Sequence, residues 1–152
     1  MTKVLVAFDT KYGNTKLVAE TIVEGMREVE GMEVTISNMK EIDLKKIINY
    51  DVILMGSPNH MGGPTRTAKK FIDKLGKLTL NKLAAVFDTY MHKDFDKAVK
   101  KMEEKINDKA PGLKIVTHGL SIRVEGMKGP IAEEEFPKCR EFGKQVATQI
   151  KS

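Results

Sequence analysis

The chain has 152 residues, a formal charge of +5 at pH 7 and a single cysteine, a length that suits one domain over residues 1–152 with a sizeable core. One cysteine excludes an internal disulfide and a cysteine-built metal site within the chain, and no apolar run approaches the length that spans a bilayer. No charged, apolar, small-residue opening of signal-peptide type is present, so the expected location is the cytoplasm.

Lys3 to Phe8 is a short apolar, β-branched run and reads as the first strand. Thr15 to Val29 follows with Val18, Ile22, Met26 and Val29 at helical spacing, closed by Gly31. Met32 to Ser37 alternates as a second strand. Asp43 caps a short helix over Leu44 to Tyr50, and "DVILMG" is a third strand, apolar on both faces as in parallel sheets. Pro64 suits the first turn of a helix that turns Ala68, Phe71, Ile72 and Leu75 inward. "KLAAVFDT" is a fourth strand, and Phe95, Val99, Met102 and Ile106 mark one face of the next helix, ended by "APG". Leu113 to His118 reads as the fifth strand. Pro137 to Ile150 closes the chain as a helix with Cys139, Phe142, Val146 and Ile150 on one face, which makes Cys139 a core residue rather than a nucleophile. Strands alternating with helices predict an α/β fold, a five-stranded parallel sheet in the doubly wound order 2-1-3-4-5 with helices on both faces.

Such sheets bind ligands beyond the carboxyl ends of their strands, where strand order reverses. Three loops converge there: "DTKYGNT", "GSPNHMGGPT" and "DTYMHKD". In the first, Gly13 permits a tight turn, Asn14 or Thr15 can cap the following helix, and Thr10, Thr15, Asn14 and Lys11 offer donors or charge to an anion. Free amides at a helix start, backed by the helix dipole, favour a dianionic phosphate. The loop is neither a Walker loop nor GxGxxG, which excludes NTP hydrolysis and Rossmann dinucleotide binding.

The run T-K-Y-G-N-T, Thr10 to Thr15, after a first strand resembles the T/S-x-T-G-N-T phosphate loop of the flavodoxins, with Tyr12 where a threonine is usual. An aromatic residue at that place is familiar from the flavodoxin domains of flavodiiron proteins. "GSPNHMGG" and "VFDTYMH" fall where that family has its two ring-holding loops, and the similarity to short-chain flavodoxins covers the whole chain. The resemblance implies a flavodoxin-like fold and non-covalently bound FMN. It implies that Thr10, Lys11, Tyr12, Gly13, Asn14 and Thr15 hold the phosphate, chiefly through backbone amides. Ser57, Pro58, Asn59, His60, Met61, Gly62 and Gly63 would line one side of the ring, and Asp88, Thr89, Tyr90, Met91 and His92 the other. With no tryptophan in the chain, Tyr90 is expected to stack on one ring face and His60 or Met61 on the other. "Met-Gly-Gly", Met61 to Gly63, resembles a turn of some short-chain flavodoxins whose central peptide turns over on reduction. Gly62 would then be a hinge with positive φ in only some redox forms.

The implied function is electron carriage on FMN between redox enzymes; the alternative is an FMN-dependent NAD(P)H:quinone oxidoreductase, and a third reading is a flavin-storage or partner-binding module. No Ser-His-Asp or Cys-His ordering suggests a hydrolase. His60 and His92 lie in separate loops without carboxylate spacing for a metal, and His118 reads as structural. From Arg66 to Lys114 stand 13 Lys and Arg against 7 Asp and Glu, which leaves 13 against 14 elsewhere. A basic segment beside two of the loops suits redox partners with acidic docking surfaces. Without an arginine-rich stripe and interleaved aromatics, nucleic acid is not expected as a partner.

Overall fold

The computed structural model describes residues 1–151. Strands β1 (Thr2–Phe8), β2 (Met32–Asn38), β3 (Val52–Pro58) and β4 (Lys82–Tyr90) alternate with helices α1 (Asn14–Met26), α2 (Arg66–Lys77) and α3 (Lys97–Lys109). Two short strands, β5 (Leu113–Ile115) and β6 (Leu120–Arg123), precede the closing helix α4 (Phe136–Lys151). The sheet runs β2-β1-β3-β4-β5 with every pairing parallel, the order expected.

Both faces of the sheet are dry because successive strand residues point to opposite sides. Val4, Val6, Phe8, Leu54, Ala85 and Phe87 pack with α1 and α4, whereas Leu5, Ala7, Ile53, Met55, Ala84 and Val86 pack with α2 and α3. Asp43 caps a 3-10 turn over Leu44–Asn49 through its side chain, as expected. Cys139 is fully buried in the α4 seam, and burial pushes its thiol up to about 12. The thiol is therefore expected to resist alkylation at pH 8 in the folded protein and to react only on unfolding; rapid labelling of native protein would contradict this packing.

Several boundaries differ from the sequence reading. Helix α2 starts after Pro64, with Thr65 as its cap: the Ala68 amide donates to Thr65 Oγ1 at 3.2 Å. Helix α1 ends at Met26, although Val29 still packs on the core. Helix α3 starts at Lys97 because Asp96 takes a left-handed φ of 67° before it. Phe95 thus lies outside the helix, 60% exposed, with its ring edge-on to Tyr90 at 5.5 Å.

The expected fifth strand, Leu113 to His118, is broken. After Ile115 the chain leaves the ladder and rejoins β4 at Leu120, so β5 pairs with Lys82–Ala84 and β6 with Phe87–Tyr90. At the break Gly119 presses against β4 and α3, where an added Cβ would stand 2.7 Å from the Val86 carbonyl oxygen and 2.6 Å from Val99 Cγ1. His118 turns outward between two carboxylates, Nε2 at 2.7 Å from Asp96 Oδ2 and Nδ1 at 3.0 Å from Glu103 Oε1. It serves the fold, tying the strand break to α3.

Candidate functional site

A crevice of about 430 Å³ opens at the carboxyl ends of β1, β3, β4 and β6, within the usual size of small-molecule sites. Its first wall is the loop from β1 to α1. Gly13 sits at the helix N-cap with φ 92°, a left-handed conformation that only glycine adopts without strain. Its amide donates to Thr10 Oγ1 at 2.9 Å, and its carbonyl accepts the first helical bond, from Leu17 N at 3.0 Å. Among the described residues no side chain caps α1, and no acidic residue occupies its first turn. Neither Asn14 nor Thr15 is the cap. Thr15 points inward, buried, with its hydroxyl 3.0 Å from that of Thr89 on β4. The helix start thus presents uncapped amides to the crevice, a donor set suited to a dianion. Beside it Lys11 Nζ lies 5.4 Å from the centre of the Tyr12 ring.

The second wall is a two-residue hairpin. His60 N donates to Gly63 O at 2.7 Å and Gly63 N returns to His60 O at 3.2 Å. Met61 and Gly62 between them both have positive φ, 53° and 80°, the requirement of a type I′ turn. Positive φ at Gly62 therefore belongs to the turn as it stands. In this conformation the turn itself calls for the glycine. Met61 is 93% exposed at the tip.

Thr89, Tyr90, Met91 and His92 form the third wall. Asp88 does not reach the crevice: strand alternation turns it toward α3, where it accepts from Val99 N at 3.0 Å and Ser121 Oγ at 2.6 Å. Burial pushes its carboxyl up to about 7 against the lowering effect of those bonds. Ser57 is likewise behind the wall, donating to Pro58 O and accepting from Thr65 N. Gly13, Gly62 and Gly63 shape their loops without lining the crevice, whereas Thr10, Lys11, Tyr12, Asn14, Thr15, Pro58, Asn59, His60 and Met61 do line it.

Asp9, Thr65 and Asp94, which stand at the ends of the three loops but have no part in the site as read from the sequence, also line the crevice, and Lys40, Val124 and Met127 escape the sequence reading altogether. Asp9 follows β1 and accepts from Thr65 Oγ1 at 2.6 Å, which ties the first loop to the α2 cap. Val124 and Met127 belong to a fourth loop, after β6, which reaches back to the first: the Tyr12 hydroxyl donates to the Met127 sulfur at 3.5 Å. Gly126 and Gly129 in "VEGMKGP" were the available signal for a tight loop there.

The family model described as flavodoxin matches residues 6–136. The chain belongs to the flavodoxin family. A flavodoxin of Aquifex aeolicus is 41% identical over 73 residues, 48% of this chain and 40% of that protein, so the match spans less than half of the relative's length. Oxidised flavodoxin 2 of Bacillus cereus superposes with a TM-score of 0.80 at 28% identity, covering 99% of this chain and 100% of that one. A flavodoxin from the domain Archaea superposes at 0.83 with 21% identity, over 99% and 100% of the two chains, a likeness of fold. Flavodoxins carry FMN, and this crevice fits it: an open helix start suited to a phosphate lies in a crevice that Tyr90, Met91, His60 and Met61 also line.

Proposed function

We propose that this flavodoxin is an electron carrier rather than an enzyme, that residues 1–152 act as one FMN-binding unit in the cytoplasm, and that its partners are redox proteins with acidic docking surfaces. Bound FMN supplies the redox chemistry, taking up and releasing electrons one or two at a time. The chain's part is to bind, orient and shield. In this reading Thr10 to Thr15 hold the phosphate through first-turn amides and the Thr15 hydroxyl. Tyr90 covers one ring face, and His60 with Met61 the other. Ser57 and Asp88 brace the walls from behind, and no side chain acts as acid or base. The observation that carries the reading is the uncapped start of α1 at the crevice.

The rim supports the choice of partner. Lys11 and Lys40 line the crevice, Lys101 Nζ lies within 4.0 Å of a Cβ built on Gly62, and Lys93 and Lys128 sit in the third and fourth loops. None of these five lysines forms an ion pair among the described residues. The one acid of the third loop that lines the crevice, Asp94, is already held by Lys97 at 2.9 Å. Exposed Tyr12, Met61, Phe95 and Met127 add apolar area among these charges. Salt screens such patches over about 8–10 Å at ordinary ionic strength. Electron exchange of the FMN-loaded protein with an acidic redox protein is therefore expected to slow as salt rises from 20 to 500 mM. A flat or rising rate would contradict basic docking, and steady NADH or NADPH oxidation with a quinone would contradict the carrier reading.

A further inference from the structure

Helices α2 and α3 lie on one face of the sheet, joined by the Lys105–Asp73 ion pair at 3.0 Å. Together they carry ten Lys and Arg against four Asp and Glu, whereas α1 and α4 on the opposite face carry five against three. On α2 the exposed cations Arg66, Lys69, Lys70, Lys74 and Lys77 form no ion pair among the described residues. The only acid of that helix, Asp73, is already taken by Lys105. Lys100 and Lys101 on α3 are likewise exposed and unpaired among the described residues, with Glu104 the one exposed acid of that helix in the same condition.

The fold gives no reason for this stripe. Arg66 and Lys70, then Lys70 and Lys74, are four residues apart, and Arg66 and Lys69, then Lys74 and Lys77, are three apart. At both spacings like charges destabilise a helix. Arg66 also opens α2, where the helix dipole disfavours a cation; only Lys74 and Lys77, in the last turn, suit it. The packing of α2 is done by its other side, through Ala68, Phe71, Ile72 and Leu75. Charges that cost the fold stability point to a use outside the chain.

The face runs into the crevice. Lys101 covers the second hairpin, where a Cβ built on Gly63 would stand 3.1 Å from its Cδ. Met61 at the hairpin tip and Phe95 just before α3 are among the most exposed apolar side chains of the molecule, and they stand at the crevice end of this charged field. The flank after β6 has a different character: Arg123 is matched there by Glu125 and Glu134, and Glu133 adds a further acid.

Resting on the carrier reading above, we infer that an acidic redox partner docks along α2 and α3, against Met61 and Phe95, and leaves the flank after β6 uncovered. The partner is a protein rather than a nucleic acid or a bilayer. Six of the seven unpaired cations are lysines and no aromatic side chain is exposed within either helix, so the face has neither the arginine forks nor the stacking platforms of nucleic-acid readers. No apolar side chain is exposed within the two helices to enter a membrane. Hydrated lysines at a rim raise the encounter rate more than the affinity, which suits a carrier that must release its partner.

The probe is a reduced, acidic [2Fe–2S] ferredoxin mixed with FMN-loaded protein in stopped flow. At about 20 mM salt the pair Lys70→Glu/Lys74→Glu should accept electrons at least about tenfold more slowly than wild type, and Lys70→Gln/Lys74→Gln should fall between. Lys144→Glu/Lys151→Glu on α4, with the same change of charge, should stay within about twofold. At about 500 mM salt all four proteins should converge within about twofold, since screening removes the difference and the fold is intact. Carbodiimide coupling to the ferredoxin should join its carboxylates to Lys69, Lys70, Lys74, Lys100 or Lys101. If the α2 pair slows no more than the α4 pair while the wild-type rate still falls with salt, or if coupling is confined to Lys138, Lys144 and Lys151, this docking face is overturned and the acidic partner stands. A wild-type rate that does not fall with salt would overturn both. Wild-type binding to RNA or to phosphatidylserine vesicles at about 150 mM salt, lost in the α2 pair, would also overturn the inference by giving the face to a polyanion.

Discussion

Between pH 4 and 7 the folded protein should lose stability on the order of 4 kcal/mol through one group, Asp88. Its carboxyl is raised from 3.8 to about 7, chiefly by burial. Over that window the native state holds a proton that the unfolded state has released, so stability falls as pH rises and the full cost is present above pH 7. His118 acts in the same direction at higher pH. The hydrogen bond to Asp96 raises its folded value above 6.5, so the stability it contributes is complete at low pH and lost as pH climbs through that folded value. Asp88→Asn separates the two. The amide oxygen can still accept from Val99 N, and Ser121 Oγ, which accepts from Asp96 N, retains a lone pair for the new NH2. The variant should be more stable than its parent at pH 8, close to it at pH 4, and left with only the shallower His118 slope. Equal slopes in urea denaturation from pH 4 to 7 would refute the assignment.

Thr15→Ala should weaken FMN by about 10- to 150-fold, the effect of losing a donor to a charged phosphate, about 1.5–3 kcal/mol. Thr15 is buried against Thr89, 3.0 Å away, so the hydroxyl is fixed rather than free to be replaced by water. Riboflavin affinity should change by less than about threefold, because only the partner of Thr89 is lost on that side. Parallel losses for both ligands would mean that Thr15 supports the fold of the wall and not the phosphate.

The legible parts of this molecule are those in which one residue's role follows from near neighbours. Val4, Val6 and Phe8 against Leu5 and Ala7 declare a two-faced strand, and "TKYGNT" after it declares an anion loop. What was hidden depends on contacts far apart in sequence. Asp9 meets the α2 cap Thr65 across 56 residues, and nothing local to either announces it. Strand β6 is not legible because its run buries Ser121 as well as Ile122, and a buried serine makes sense only with Asp88 and the Asp96 amide as partners. The family motif places Asp88 at the ring, whereas the period of two in β4 sets it on the α3 face, opposite Thr89. The cap of α1 misled for a related reason: Asn14 and Thr15 are good caps in general, but Thr15 is drawn inward by Thr89 and the left-handed Gly13 takes the position.

The central claim is that the crevice at the start of α1 is an FMN site that reads the phosphate. Titration of the purified apoprotein with FMN and with riboflavin, followed by quenching of flavin fluorescence, tests it most directly. The account predicts saturation at one FMN per chain and riboflavin at least about 100-fold weaker, as expected when a dianion at an open helix start supplies several charge-assisted hydrogen bonds. Equal affinity for the two flavins, or no binding of FMN, would contradict it.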